Sequence, residues 1–311
     1  MRFAFIEAEK TAFPLTILCR VLEVSRAGYY AWKRHKKSRH QAEDEALTDA
    51  LLQAHRQSRG TYGSPRLHAT LRRNGKRHSR KRVIRLMKHA GLSASVRRRF
   101  RKTTDSNHRS PVAPNVLGRA FDVGPIQQVW TTDITYLPTW QGWLYLAVIL
   151  DLGSRRVVGW AMSERIDTEL VVSAFTMACQ GRKPPPGLLH HSDRGSQYAS
   201  SVYQKALADA GVVGRMSRKG NCWDNAVTES FFRGLNVECA DQHTFQTHEQ
   251  ARRVIFEHIE VFYNRQRLHS SLGYQSPMEY EHALSSRENG AASSTLPGLP
   301  AAAKPISANC L

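Results

Sequence analysis

At 311 residues the chain is long enough for one large domain or two to three small ones, and its hydrophobic share is ordinary for a protein that buries a core. No segment approaches the roughly 20 apolar residues of a membrane span, and Glu7 and Glu9 interrupt the apolar start before a signal-peptide core can form. The five scattered cysteines contain no CxxC pair, which argues against a disulfide framework or a zinc ribbon, so the cytoplasm is the expected compartment.

The net charge of +19 is unevenly placed. Residues 1–120 carry 28 Lys and Arg against 8 Asp and Glu, whereas the remainder carries 17 against 18. A basic leader on a near-neutral body points to a polyanion partner. Nucleic acid is favoured over anionic lipid, because the basic residues fall on short capped helices rather than on one amphipathic membrane helix.

In chain order, residues 11–33 read as two short helices. Ile17, Leu18, Val21 and Leu22 give the first an apolar stripe, and Ser25 caps the second, which carries Tyr29, Tyr30 and Trp32. Residues 42–56 repeat Leu and Ala at helical spacing. Ser64-Pro65 reads as an N-cap followed by proline at the first helical position, and Asn74-Gly75 closes that helix. Ser79 caps a helix over 81–90 that stops at Gly91. The last two helices fit a helix-turn-helix, with Arg80, Lys81, Arg82, Arg85 and Lys88 on the later helix as expected phosphate contacts. A three-helix bundle with a solvated basic face is the alternative. This gives an N-terminal helical segment (1–40) and a helix-turn-helix-like DNA-binding domain (41–92).

Periodicity is lost over 93–120, where Arg97, Arg98, Arg99, Arg101, Lys102, Pro111 and Pro114 suggest an extended basic linker. Such an arm either tracks a DNA backbone or acts only as a tether. Strands are expected at 128–137, 143–152 and 155–162, then a helix over 167–180 capped by Asp167 and ended by Gly181. A strand at 188–191, a helix at 200–210, a fifth strand at 212–216 and helices at 224–238 and 249–264 follow. Three antiparallel strands followed by αβαβα make a mixed α/β domain over 121–284. Residues 285–311 are rich in Ser, Ala and Pro and read as a disordered tail.

Three acids stand out by context. Asp133 sits inside a strand, where aspartate is depleted. Asp193 follows the fourth strand, at the carboxyl end where α/β sheets place ligands. Glu229 lies in the first turns of a helix. Singly, each has a structural alternative: a hydrogen-bonded strand residue, an Asx-turn and an exposed helix residue. Together they suggest a carboxylate cluster, which repels itself unless a cation intervenes. Mg²⁺ or Mn²⁺ is the natural occupant, and two such ions would serve phosphoryl transfer. Asp151 is the rival acid. Cys239, His243 and His248 lack a sensibly spaced fourth ligand for a metal site.

The stretches Trp130-Thr131-Thr132-Asp133-Ile134-Thr135, His191-Ser192-Asp193-Arg194-Gly195-Ser196-Gln197-Tyr198 and Asp224-Asn225-Ala226-Val227-Thr228-Glu229-Ser230-Phe231-Phe232 carry a closer resemblance. With the segment from Phe262 to Tyr274, and the 35 residues between Asp193 and Glu229, they resemble the second-reading-frame (OrfB) product of insertion-sequence transposases of the IS-three family. That family is in turn similar to the retroviral-integrase group with its DDE triad. The resemblance covers roughly residues 46–281, including Ser58-Arg59-Gly60-Thr61-Tyr62-Gly63.

It implies a ribonuclease-H-like fold, with Asp133, Asp193 and Glu229 as metal ligands for cleavage at element ends and for strand transfer by the resulting 3′-hydroxyl. The implied partners are double-stranded DNA (terminal inverted repeats and target), further copies of the chain on DNA, and an upstream-frame protein as fusion or partner. Relatives often carry basic residues four and seven positions after the catalytic Glu; here these positions hold Arg233 and Asn236, with Gly234 inside the helix. The zinc-binding module of retroviral integrases has no counterpart. Further candidate DNA contacts are Arg194, Gln197, Tyr198, Trp223, Arg265 and Arg267. A nuclease of the same fold that never joins, and an inactive DNA-binding regulator, remain open as alternatives.

Overall fold

The computed structural model of the chain describes residues 2–34, 38–95, 126–193, 195–216 and 226–293, with side chains to residue 287. The described part begins with six helices: α1 (Arg2–Glu9), α2 (Leu15–Val21), α3 (Arg26–Arg34), α4 (Arg39–Gln57), α5 (Ser64–Arg73) and α6 (Arg80–His89). Two of these are the helices expected within 11–33. α1 is additional: it is held by packing of Ile6 against Leu18, Cys19 and Tyr29, and short helices are stabilised by tertiary contact more than by propensity.

Capping explains the boundaries that follow. Ser38 accepts the Gln41 N–H and starts α4 earlier than its apolar repeat does. Ser79 accepts the Arg82 N–H and starts α6. Ser64 is not a cap: it lies inside α5, Gly63 holds the N-cap position without a side-chain bond, and Pro65 sits in the first turn, where a missing N–H is harmless. Leu47, Leu51, Leu67, Leu71, Val83 and Leu86 form the core of α4–α6, and Phe262 and Leu268 from the C-terminal part complete it. The helical region is therefore docked on the rest of the chain.

The sheet has five strands in the order β3-β2-β1-β4-β5. β1 (Val129–Thr139), β2 (Gly142–Asp151) and β3 (Val157–Ser163) form an antiparallel meander; β4 (Leu189–Ser192) and β5 (Val213–Met216) continue it in parallel. The mixed five-stranded sheet expected from the sequence is the one found. α7 (Thr168–Arg182) and α8 (Ser201–Asp209) cover one face, over a core including Trp130, Ile149, Phe175 and Tyr203. α9 (Ala226–Glu238) and α10 (His248–Phe256) cover the other, over Leu137, Leu146, Val148, Phe231 and Ile255. Each strand alternates between the two faces. Gly159 of β3 permits the approach of α7, since a Cβ there would lie 2.3 Å from the Ala174 carbonyl oxygen.

Three boundaries differ from expectation. α7 passes Gly181 and ends one residue later, before Lys183 in a left-handed conformation; the extension includes Arg182, which reaches Glu281 at 2.7 Å. The expected helix over 249–264 is α10 followed by a π-helical stretch, Glu257–Tyr263. The widened turn is stabilised from outside the helix: Asn264 accepts the Val157 N–H and donates to the Val157 carbonyl, both at 3.0 Å. The C-terminal tail is helical through 293, as α11 (Pro277–Ser293). Its first turns are anchored by Glu281, which receives Arg156 and Arg182, and a helix already nucleated propagates through Ala, Leu and Glu. Residues 294–311 lie outside the described part, as does most of the expected linker.

Candidate active site

Strand register brings the acids together. β1 and β4 run parallel with Thr131 opposite His191. Asp133 lies two residues further along β1, and Asp193 is two residues on from His191, just past the end of β4, so the register carries the two acids toward one level on neighbouring strands about 4.8 Å apart. Glu229 comes from a different element: the hydroxyl of Thr228, one residue before it on α9, is hydrogen-bonded to that of Thr131 at 3.0 Å, and both threonines are buried. This clasp between strand and helix is a positioning feature that the sequence reading missed; two threonines 97 residues apart carry no local signal.

The electrostatics register the proximity. The Asp133 carboxyl is pushed up to about 7, first by burial and then by the negative charge of Asp193, with a smaller push from Glu229. Glu229 is exposed and is raised by partial desolvation. One oxygen of Asp133 accepts the Ile134 N–H at 2.8 Å, and one of Asp193 accepts the Gly195 N–H at 2.9 Å. The structural alternatives for the two aspartates are thus real local features as well. A Cβ at Gly195 would stand 3.0 Å from the Asp193 carboxylate and 2.8 Å from Gln197 Oε1, so a side chain there would push the Gln197 amide aside. Among the described residues no three His, Cys, Asp or Glu side chains are gathered tightly enough to hold an ion as they stand. The three acids form an electrostatically coupled group that has not closed into ligand geometry.

Tyr198 is corrected from a DNA contact to part of the core. It is 1% exposed, its ring packs on Tyr203, and its hydroxyl lies 3.3 Å from Thr132 Oγ1. Burial and the charges of Asp133 and Asp193 push its phenol well above the ordinary range, which places it beneath the two aspartates. Arg267 is also corrected: it is 9% exposed and forms a two-armed ion pair with buried Glu238 at 2.6 and 2.7 Å. Gly234 of α9 makes room for that guanidinium, with a Cβ position 3.3 Å from Arg267 Nη2, which accounts for a glycine inside the helix. Arg82 and Arg85 are engaged by Asp44 at 2.7 and 2.5 Å and are not free cations.

Arg80, Lys81, Lys88, Arg233 and Arg265 are exposed, and Gln197 is half-buried beside the site. Arg97, Arg98, Arg99, Arg194 and Trp223 lie outside the described residues. Asp151 is excluded as a fourth acid: it is fully buried and accepts the backbone N–H groups of Gln127 and Ser154, so it shapes the β2–β3 turn. A cleft of about 820 Å³, lined by Arg72, Arg73, Arg80, Tyr274 and Glu279, lies between α5–α6 and the C-terminal part, away from the acids. No helix among the described residues is long and apolar enough to cross a membrane.

Comparison with known proteins agrees with this architecture. Residues 126–222 and 229–284 match integrase core domain families, and residues 42–100 match an HTH-like domain family. The chain is 46% identical over 263 residues to an uncharacterized 31 kDa protein of insertion element IS600 from Shigella sonnei, covering 85% of this chain and 97% of that protein. It is 41% identical over 284 residues to transposase InsF for insertion sequence IS3A from Escherichia coli K12, covering 91% and 99%. The solved catalytic core domain of BIV integrase aligns with 20% identity over 53% of this chain and 99% of that one, at a TM-score of 0.40, too low to add to the argument. The two full-length relatives and the matched domains settle the family: the chain belongs to the IS3-type insertion-sequence transposases, DNA-binding polynucleotidyl transferases with an HTH-like region ahead of a ribonuclease-H-like integrase core.

Proposed function

We propose that Asp133, Asp193 and Glu229 are the catalytic, metal-holding triad of this transposase, acting with Mg²⁺ or Mn²⁺, two ions in the working state. The observation that carries the reading is the charge conflict at Asp133, whose carboxyl is held near 7 by burial and by its acidic neighbours. A fold that leaves like charges side by side creates a demand for cation, and an all-oxygen donor set suits a hard divalent ion. Bound there, the ions would supply an activated hydroxyl and neutralise charge on the leaving oxygen.

The chain's own part is to orient. β1 fixes Asp133, the Gly195 N–H fixes one oxygen of Asp193, and the threonine clasp sets the start of α9 and hence Glu229. In the first reaction water attacks a phosphodiester at the element end, forming one P–O bond and releasing a 3′-hydroxyl. In the second, that hydroxyl attacks a target phosphodiester, forming a new P–O bond and releasing a target 3′-hydroxyl. No covalent bond to the protein is needed.

Arg80, Lys81 and Lys88 of the HTH-like region, with Arg233, Arg265 and Gln197 around the core, are the contacts we assign to DNA. Arg97, Arg98, Arg99, Arg194 and Trp223 are retained as proposed contacts. We read 1–40, 41–92 and 93–120 as helical segment, DNA-binding domain and linker. The substrates are the terminal inverted repeats and a target duplex, bound by more than one copy, with an upstream-frame protein as fusion or partner, in the cytoplasm. A strand-transfer assay with end-sequence oligonucleotides in Mg²⁺ tests the reading. Joined products that vanish with chelator are expected. Cleavage without joining would make the chain a nuclease, and end-binding without either reaction would make it a regulator.

A further inference from the structure

The HTH-like match begins at residue 42, and nothing above gives a task to the residues before it. Yet α1–α3 form a complete three-helix unit with its own core of Ile6, Leu18, Cys19 and Tyr29. α2 and α3 are joined by only four residues. The turn is closed in a defined way: Glu23 is left-handed at φ 54°, Val24 donates to the Cys19 carbonyl at 3.0 Å, and Ser25 caps α3 by accepting the Gly28 N–H at 2.9 Å. Two short helices held by a tight turn with one left-handed residue, braced by a third helix, are the frame of a helix-turn-helix.

The brace sets which side of α3 faces out. Gly28 and Tyr29 turn inward: a Cβ on Gly28 would lie 3.3 Å from the Phe3 ring, and the Tyr29 hydroxyl bonds Glu7. Glu7 also takes Lys10 and Lys33, so the inner cations are neutralised within the unit. Arg26 and Tyr30, one turn apart, are exposed on the outer side, as is Arg20 at the end of α2. The guanidinium groups of Arg20 and Arg26 have no ion-pair or hydrogen-bond partner among the described residues, in contrast to those of Arg82 and Arg85. An α-helix with its side chains is about 10–12 Å across, which a major groove about 12 Å wide admits.

We infer that α2 and α3 are a second helix-turn-helix that reads duplex DNA, with α3 in the major groove, Arg26 on a base edge and Arg20 on the phosphate backbone. The inference rests on the DNA-joining reading above and deepens it: the chain grips a DNA end at two places, one through α3 and one through the HTH-like region.

The test uses the full chain and a pool of random-sequence duplexes, with sequencing of the bound fraction and anisotropy titration on the selected site. The wild type should select a two-part site. R26A/Y30A should lose one part and bind the selected site about tenfold or more weakly, with unchanged circular dichroism because both side chains are exposed. R26K should keep affinity for unselected duplexes yet relax preference at one base position, since lysine lacks the two-armed fork. If R26A/Y30A selects the same site with equal affinity, this inference is overturned while the transposase reading stands. If the wild type selects no site, this inference is overturned, and the transposase reading is decided separately by the strand-transfer assay. If the double variant keeps the site but breaks up a wild-type oligomer in light scattering, α3 is a protein contact and the inference is likewise overturned.

Discussion

The docked helical region and the sheet handle charge in opposite ways. Around α4–α6 several cations are paired off: Arg82 and Arg85 with Asp44, Arg59 with Glu257, Arg73 with Glu279, and Arg267 with Glu238, which Arg66 also approaches at 3.7 Å. Within β1, by contrast, Asp133 is raised by burial and by the nearby negative charges of Asp193 and Glu229. The number of basic residues in the leader therefore overstates its free positive charge. The near-neutral body contains an acidic grouping around Asp133, the place we propose for a cation and a phosphodiester.

The contrast can be broken most severely at the acids. D133N, D193N or E229Q should reduce strand transfer at least a thousandfold, on the order of 4 kcal/mol of transition-state stabilisation, while duplex binding in a mobility-shift assay persists. Retained joining in all three variants would remove the triad from the mechanism.

The next effect concerns Glu238, which pairs with Arg267 inside the C-terminal part and is approached by Arg66 of α5. E238A leaves the buried Arg267 guanidinium uncompensated and removes the partner of Arg66 from α5. Loss of one member of a buried pair costs about 3–5 kcal/mol, to be read in urea unfolding. A loss below 1 kcal/mol would show that the docking does not depend on this pair.

His258, fully buried in the π-helical stretch beside this junction, gives the pH test. Burial, with Arg59 and Arg267 nearby, holds its imidazole down at about 3. The unfolded chain takes up a proton near 6.5 and the folded one does not, so its contribution to stability is complete above 6.5 and is lost as pH falls toward 3. The slope is about 1.4 kcal/mol per pH unit from this group alone. H258Q should flatten that acid limb in pH-dependent melting; an unchanged limb would assign it to other groups.

The smallest effect sharpens the comparison from the basic side. D44N should release Arg82 and Arg85, raising affinity for unselected duplex severalfold and steepening the salt dependence by about one to two in slope. Equal salt slopes would mean that both arginines already reach phosphate despite their pairing.

Much of the fold was legible in the sequence because its signals are local. Short runs of strand-forming residues bounded by turn residues marked all five strands, Asp167 and Ser79 marked helix starts, and an aspartate within Trp130-Thr131-Thr132-Asp133-Ile134 was conspicuous against strand chemistry. α1 was not legible, because its stability comes from packing under α2 and α3. The π-helical stretch was not, because Asn264 is drawn to the edge of β3, more than a hundred residues away in the chain. The helical continuation past 285 was hidden by a composition suited equally to disorder or to a helix anchored at one end.

By itself the sequence determined which side chains are acidic, basic or apolar and the short-range rhythm that sorts them into strands and helices. Tertiary structure decided what those charges do. Parallel register set Asp133 level with Asp193, a threonine clasp set the start of the helix carrying Glu229, and packing moved Tyr198 and Arg267 from the surface to the interior. The physical reason is that a charge acts through distance and dielectric, and both are fixed only when segments far apart in the chain are brought into contact.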